Sequence, residues 1–435
     1  MFAMKITLGR LFRNRIVRQA SELVGWQVLT KILSFFTTAW MVRCMGPKNL
    51  GVSGLIIATS AACSLFINLG LDISGTRKIA VSKDGSRDII ELVIGLRWRI
   101  GAFLFALWVI YSIYLLFSKS EYFLAWVLGA FLMITSSLNT GWILQGLEEL
   151  PVQNRIMCIT SVLSAVMYVL FFRPGMPAGA DIAVMTISNI VGLWLVWIYV
   201  RRRTGASVFG HFDYGQAKAL LYESRWAFAI VCTVFVYLQL DMILLAKFAS
   251  FEQAGAYRAA SSLIVPLTLL AGISGTLLYP RLVVWHQQDP WRVWSRQKNI
   301  VLVYLITGII GVGVISVAAR PIMGLLFGSR YSAAVWPFII LFCSKVEVLI
   351  SGVFGWGVMA SGRDRLFLFA SLAAASLSLC LNVIFIPRYG ALAAATVNFV
   401  AEAVILLLTM YFCWQQHSEM IGTVQNQAKE GASAT

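Results

Sequence analysis

Between Asn299 and Arg320 the chain runs for twenty residues, IVLVYLITGIIGVGVISVAA, without one charged side chain. At roughly 1.5 Å of helical rise per residue such a run is about 30 Å long, the thickness of the hydrocarbon core of a bilayer. Runs of this kind recur along the whole chain and predict twelve spans, at 21–43, 50–71, 97–117, 122–144, 156–173, 180–200, 225–247, 258–280, 299–319, 332–359, 366–387 and 391–414. In lipid, every backbone N–H and C=O must be bonded within its own segment. The expected fold class is therefore all-α, a polytopic membrane protein with twelve transmembrane helices in two six-helix lobes. Composition agrees. Only 12% of the 435 residues are charged, too few to solvate a water-facing surface of this size, and 15 Trp suit interfacial belts.

The net charge of +16 does not point to nucleic acid, because the basic residues sit in short clusters between the apolar runs. Their distribution sets orientation instead. With both termini inside, the cytoplasmic connections collect 24 Lys and Arg, the outer ones nine, and Lys31 and Lys345 fall within spans. That bias predicts cytoplasmic termini. Residues 1–20 read as a basic cytoplasmic interfacial segment, 21–200 as the N-terminal lobe and 201–224 as a cytoplasmic linker. The C-terminal lobe follows at 225–414, and 415–435 reads as a flexible cytoplasmic tail. The seven cysteines are scattered, with no C-x-x-C and no nearby Cys/His grouping, so no metal site is expected.

The halves resemble each other. Gly51 and Gly255, and Arg77 and Arg281, are 204 residues apart, and Asn189 and Asn398 are 209 apart. Six spans per half bring both halves in from the same side, so the repeat is a parallel one about an axis along the membrane normal.

No G-x-S-x-G, P-loop or H-E-x-x-H occurs, so neither an enzyme nor a self-contained ATP-driven pump is indicated. What remains is polar and charged residues inside spans, which are functional by default. Gln27 and Lys31 share a helix face with Ser34 and Thr38. Tyr237 and Asp241 are four apart, and so are Asn398 and Glu402. Lys345 and Glu347, two apart, cannot face each other and each needs a partner elsewhere. With Arg258 at the start of span 8, these nine residues are the candidates for a wet path, against the plainer reading of interhelical ion pairs and snorkelling ends. Pro266 is placed to kink span 8. The glycines at 308, 311, 313, 352, 355 and 357 read as close helix packing.

Several short motifs, in order and spacing, resemble the O-antigen and polysaccharide-unit flippases of the polysaccharide transport family. They are VRCMGPKNLG at 42–51, NLGLDISGTRKIA at 68–80, WILQGLEE at 142–149, LDMILLAKF with AGAYRAA at 240–260, LYPRL at 278–282, LLFGSRYSAA at 325–334 and IPRYGALAAATVN at 386–398. The resemblance covers about residues 5–415. It implies a MATE-like bundle of two lobes, like that of the multidrug/toxin extruders of the same superfamily, with a cationic central cavity open in turn to either side. The implied substrate is an oligosaccharide on undecaprenyl pyrophosphate, moved across the cell inner membrane, with a polysaccharide polymerase and a chain-length regulator as further partners. Lys31 and Arg258 would meet the anionic part, and Trp26, Tyr237 and Trp356 would stack on sugar faces. No cofactor is implied beyond H+ or Na+ coupling through Asp241 or Glu402. The peptidoglycan lipid flippases of the superfamily carry two spans after the twelfth, where this chain has a polar tail. The alternatives are an extruder-like cation-coupled antiporter, which would favour buried acids, and an integral-membrane glycosyltransferase or polymerase, which would need a large outer loop that the sequence lacks.

Overall fold

A computed structural model describes the backbone of residues 15–81, 86–207, 210 and 212–433, and the side chains within these except at 15–24, 26–29, 237–238 and 420–433. The basic segment before residue 15 and the side chains of Gln27, Trp26 and Tyr237 lie outside the described residues.

The described chain is helical and contains no strand. Its helices are α1 (Arg15–Asn68), α2 (Leu71–Val81), α3 (Ser86–Phe117), α4 (Phe123–Ser137), α5 (Gly141–Gly146), α6 (Leu150–Phe171), α7 (Ala180–Thr204), α8 (Tyr214–Phe248), α9 (Phe251–Leu263), α10 (Val265–Gln288), α11 (Pro290–Leu326), α12 (Val335–Ala360) and α13 (Asp364–Ser433). A 3-10 turn, Ser329–Ala334, joins α11 to α12. Among the described residues ten helical stretches are long and apolar enough to cross a membrane. Two of them bend sharply where glycine supplies a left-handed residue: α1 at Gly46 (φ 76°) before Pro47, and α13 at Gly390 (φ 55°).

The chain divides into two compact units, Met1–Phe235 and Val236–Thr435. In unit 1, two of the short motifs meet. Asn68 ends α1, Leu69 and Gly70 turn, and the Asp72 N–H donates to Asn68 Oδ1 (3.1 Å) to start α2. Gly70 has φ 75°, and a Cβ there would lie 2.6 Å from the Phe228 nitrogen of α8, so only glycine fits. The face of α2 then packs on α5. The Gly75 position abuts the Trp142 ring, the Gly146 position abuts Ile79, and the Thr76 hydroxyl donates to the Trp142 carbonyl (3.1 Å). The core around this junction is formed by Leu71, Ile79, Ile90, Val93, Ile143 and Leu144.

In unit 2, the AGAYRAA motif is helical. It is buried helix within α9, because Ser250 caps that helix (the Gln253 N–H donates to Ser250 Oγ, 3.2 Å) and the small residues that follow allow close packing. Pro266 stands in the first turn of α10, and the break expected of it falls at Ile264. Gly308, Gly355 and Gly357 are packing positions, with a Cβ at Gly308 only 2.3 Å from Val346, whereas Gly313 faces open space. The stretch from 415 runs on as helix to Ser433. Gln, Ala, Lys and Glu dominate it and favour continuation of the last span.

The same fastening occurs once in each unit. In unit 1, Asn49 Nδ2 donates to the Met176 carbonyl (2.9 Å), tying the α1 bend to the approach to α7. In unit 2, Gln253 Oε1 accepts from the Ala391 N–H (3.1 Å), tying α9 to the bend in α13. Asn49 and Gln253 are 204 residues apart, the offset already seen between the paired glycines.

Candidate functional site

Unit 2 assembles most of the candidate residues. Asp241, on α8, is only 7% exposed. Its carboxylate accepts the Met242 N–H (2.8 Å) through Oδ1 and the Tyr257 hydroxyl of α9 through Oδ2. Lys345 of α12 acts on Asp241 electrostatically and places its Nζ 3.7 Å from Oε1 of Glu402 on α13. One residue earlier, the Ser344 hydroxyl donates to Asn398 Oδ1 (2.7 Å). The four-residue spacing of Asn398 and Glu402 therefore meets two consecutive residues of α12. Four helices thus converge on a buried cluster of two acids, one ammonium, a phenol, a hydroxyl and an amide.

Burying these charges in lipid is expensive unless they are paired. At 3.7 Å and an effective dielectric of ~20, the Lys345–Glu402 attraction is about 4 kcal/mol. Glu347, two residues on, lies outside this pairing. Its Oε2 is buried with no hydrogen-bond partner among the described residues. Arg258, next to Tyr257 in α9, is half-buried and within electrostatic range of Tyr331. Lys31, in unit 1, is exposed, while Ser34 and Thr38 on its face are half-buried. Trp356, expected to stack on sugars, packs against the glycine face of α10 at Gly275.

Two features escaped the sequence reading. Tyr257 was hidden in a motif of small residues. Arg97 was counted as cytoplasmic because the span was drawn from that residue, whereas α3 starts at Ser86 and Arg97 is 2% exposed. Its Nη2 donates to Asp72 Oδ1 (2.6 Å) and Asn68 Oδ1 (2.8 Å), its Nη1 to the Asn139 carbonyl (3.3 Å), and its guanidinium lies over the Trp142 ring. The apolar run Ile89–Leu96, interrupted only by Glu91, was the available signal. Among the described residues no three His, Cys, Asp or Glu side chains converge to hold a metal ion.

Long apolar helices in two units, with ionisable groups paired inside them, define a polytopic α-helical membrane protein whose buried charges are candidates for function. The sequence matches the model of a protein family described as polysaccharide biosynthesis protein over residues 16–286, and the chain belongs to that family. A putative O-antigen transporter of Escherichia coli K12 is 22% identical over 403 residues, 88% of this chain and 92% of that protein. A probable low-salt glycan biosynthesis flippase, Agl15 of Haloferax volcanii, is 24% identical over 204 residues, which is 46% of this chain and only 43% of that protein. Among solved structures, an inward-facing multidrug resistance MATE transporter superimposes with TM-score 0.66 at 14% identity, over 91% of this chain and 96% of the other. The lipid II flippase MurJ in an inward closed conformation gives 0.67 at 12% identity, over 89% and 86%. These structural likenesses establish the fold, all-helical and shared with the MATE and MurJ transporters. The protein is a multi-helix membrane protein of the polysaccharide biosynthesis family, with the fold that the MATE and MurJ transporters share.

Proposed function

We propose that the protein moves an undecaprenyl-pyrophosphate-linked oligosaccharide repeat unit from the cytoplasmic to the outer leaflet of the cell inner membrane, for O-antigen, capsule or exopolysaccharide synthesis. The observation that carries this reading is the buried cluster of Asp241, Tyr257, Lys345 and Glu402 inside apolar spans of a polysaccharide-family chain. A pyrophosphate-sugar head cannot cross hydrocarbon, because its charges would lose their water. Alternating access through a cavity that replaces that water removes the barrier, while the lipid tail stays in the bilayer. Lys31 and Arg258 are the cations we assign to the anionic part of the substrate. Twelve crossings follow if each of the two bent helices spans twice, and the Lys/Arg bias then puts both termini in the cytoplasm. A polymerase and a chain-length regulator are the partners such a product requires.

Three acids, Asp241, Glu347 and Glu402, stand deep in unit 2 spans, where Lys345 is the basic residue among them and Lys247 and Arg258 lie at span ends. That surplus supports coupling to H+ or Na+. It is also the observation favouring a second reading, an extruder-like cation antiporter. The test is surface-polymer display in a strain lacking the protein. The wild-type chain restores display, whereas Asp241→Asn and Lys31→Ala at normal membrane abundance do not. Full display with both variants refutes the site assignment, and a deletion strain with intact display but increased sensitivity to cationic drugs selects the antiporter. Transport in proteoliposomes that ignores both H+ and Na+ gradients removes the coupling.

A further inference from the structure

Unit 1 contains a cavity of about 230 Å³ between α4, α6 and α7, the space of about seven liquid waters. It lies where α4 stops at Ser137 and α5 starts at Gly141. The span Phe123–Gly146 is therefore broken by non-helical backbone at membrane depth, which is tolerated only inside protein or along a wet cavity. None of its fourteen lining residues is charged and none is aromatic. Its polar side chains are Ser136, Asn139, Gln153, Thr160, Ser188 and Asn189, with the hydroxyls of Thr135 and Thr140 beside them.

Two glycines keep the space open. A Cβ at Gly141 would stand 2.7 Å from the Gln153 amide nitrogen, and one at Gly192 would stand 3.1 Å from the Thr160 methyl. Asn189 Nδ2 donates to Ser136 Oγ (3.3 Å) and Ser188 pairs with Ser164 (2.7 Å). Among the described residues no hydrogen bond uses the side-chain amide of Gln153 or the Nδ2 of Asn139. The buried cation Arg97 binds the back of Asn139 through its carbonyl and is turned to Asp72 and Asn68. The equivalent helix pair in unit 2 also joins a Ser to an Asn, with the direction reversed (Ser344 donates to Asn398), and beside it stand Lys345 and Glu402. By the 208-residue spacing of Ser136 and Ser344 and the 209-residue spacing of Asn189 and Asn398, their counterparts in unit 1 are Ser137 and Leu193.

We infer that this pocket is a sugar subsite: it takes one uncharged, hydroxyl-bearing ring of the transported head group and excludes the pyrophosphate. Amides and hydroxyls that both donate and accept match ring hydroxyls, and a site without a cation gives an anion nothing in exchange for its water. The volume fits a single ring rather than a chain. With the termini inside, the pocket is in the cytoplasmic half of unit 1, where the head group first arrives. The inference rests on the flippase reading for its ligand.

The experiment uses the full-length protein in lipid nanodiscs and a panel of methyl glycosides covering hexoses, 6-deoxyhexoses and N-acetylhexosamines, with binding read by saturation-transfer NMR. At least one glycoside gives transfer with the wild-type chain. Asn189→Leu and the near-isosteric Thr160→Val each weaken it roughly threefold to tenfold, the effect of one lost neutral hydrogen bond. Excess inorganic pyrophosphate leaves the signal in place. Gly192→Ala, which only narrows the pocket, weakens it as well and covers the case in which Asn189→Leu fails to fold. Absence of transfer with every glycoside, equal transfer in the folded variants, or displacement by pyrophosphate each overturns the assignment. The flippase reading is judged separately by polymer display. Glycoside binding in a protein whose deletion leaves display intact defeats that reading and not the pocket, whereas restored display without glycoside binding defeats only the pocket.

Discussion

Replacing Lys345 by Met leaves Glu402, 4% exposed, as an uncompensated acid and removes the positive neighbour of Asp241. Breaking a buried ion pair from one side costs about 3–5 kcal/mol, most of it the stranded charge rather than the lost attraction. Glu402→Leu strands Lys345 in turn, but Asp241 still attracts it, so the loss falls at the lower end of that range. The double variant strands neither, replaces both with apolar side chains of similar bulk, and falls within about 1 kcal/mol of the wild type. The resulting coupling energy is at least about 5 kcal/mol, against ~0.5 kcal/mol for sites that do not interact. Reversible unfolding of the four proteins in mixed micelles measures it. Additivity of the two single losses would falsify the pairing. The same double variant separates structure from transport. If the cluster only held α12 to α13, polymer display would return with stability. The expected outcome is a stable protein in which display is reduced at least about tenfold, the loss of roughly 1.4 kcal/mol or more of a step the charges serve.

Other perturbations test the surrounding scaffold. Gly70→Ala puts a Cβ 2.6 Å from the Phe228 nitrogen at a left-handed φ, and should lose about 2–4 kcal/mol, read as depleted membrane abundance; normal abundance and an unchanged unfolding midpoint contradict the close approach. Arg97→Lys replaces a planar fork that reaches Asp72, Asn68 and Asn139 at once with a single ammonium, and is expected to lower stability by about 1–3 kcal/mol in the same unfolding assay, whereas indifference to the swap argues that the fork is not used. Gly308→Ala drives a methyl to 2.3 Å from Val346 and costs about 1–3 kcal/mol, while Gly313→Ala, facing open space, leaves the midpoint where it is; equal effects at both positions would contradict the packing described.

Hydropathy located the helices because burial in lipid and burial in a helix bundle select the same apolar side chains. Its errors fall where a charge is buried. Arg97 pushed the start of the third span eleven residues inward, since a window that scores arginine as exposed cannot see Asp72 and Asn68 waiting across the turn. Helical period placed Asn398 and Glu402 on one face, but a period gives a direction and not a partner. Ser344 and Lys345 became their partners only through the packing of α12 on α13. The phenol of Tyr257 was unreadable for a similar reason, as its bond to Asp241 joins two helices across a capped turn. The unit 1 pocket was invisible because serine, threonine and glycine interrupt an apolar run too gently to register. Asn189 was noticed as a repeat position rather than as a lining residue.

The repeat itself bears on whether the unit 2 charges are structural. Both units tie corresponding elements at corresponding positions: Asn49 binds the approach to α7 and Gln253 the bend in α13, and Ser136–Asn189 and Ser344–Asn398 join the corresponding helices. By the same offsets, Asp241, Lys345 and Glu402 correspond to Thr37, Ser137 and Leu193, all uncharged. In unit 1 that scaffold packs with Thr37 bonded back to its own helix, at the Leu33 carbonyl, and with Ser137 bonded to Ser64 and the Met133 carbonyl. A fold that closes over neutral residues at all three places in one copy does not require charges there in the other. Charges kept at membrane depth against their desolvation penalty, and not demanded by packing, are what a transported charge or a coupling cation would need.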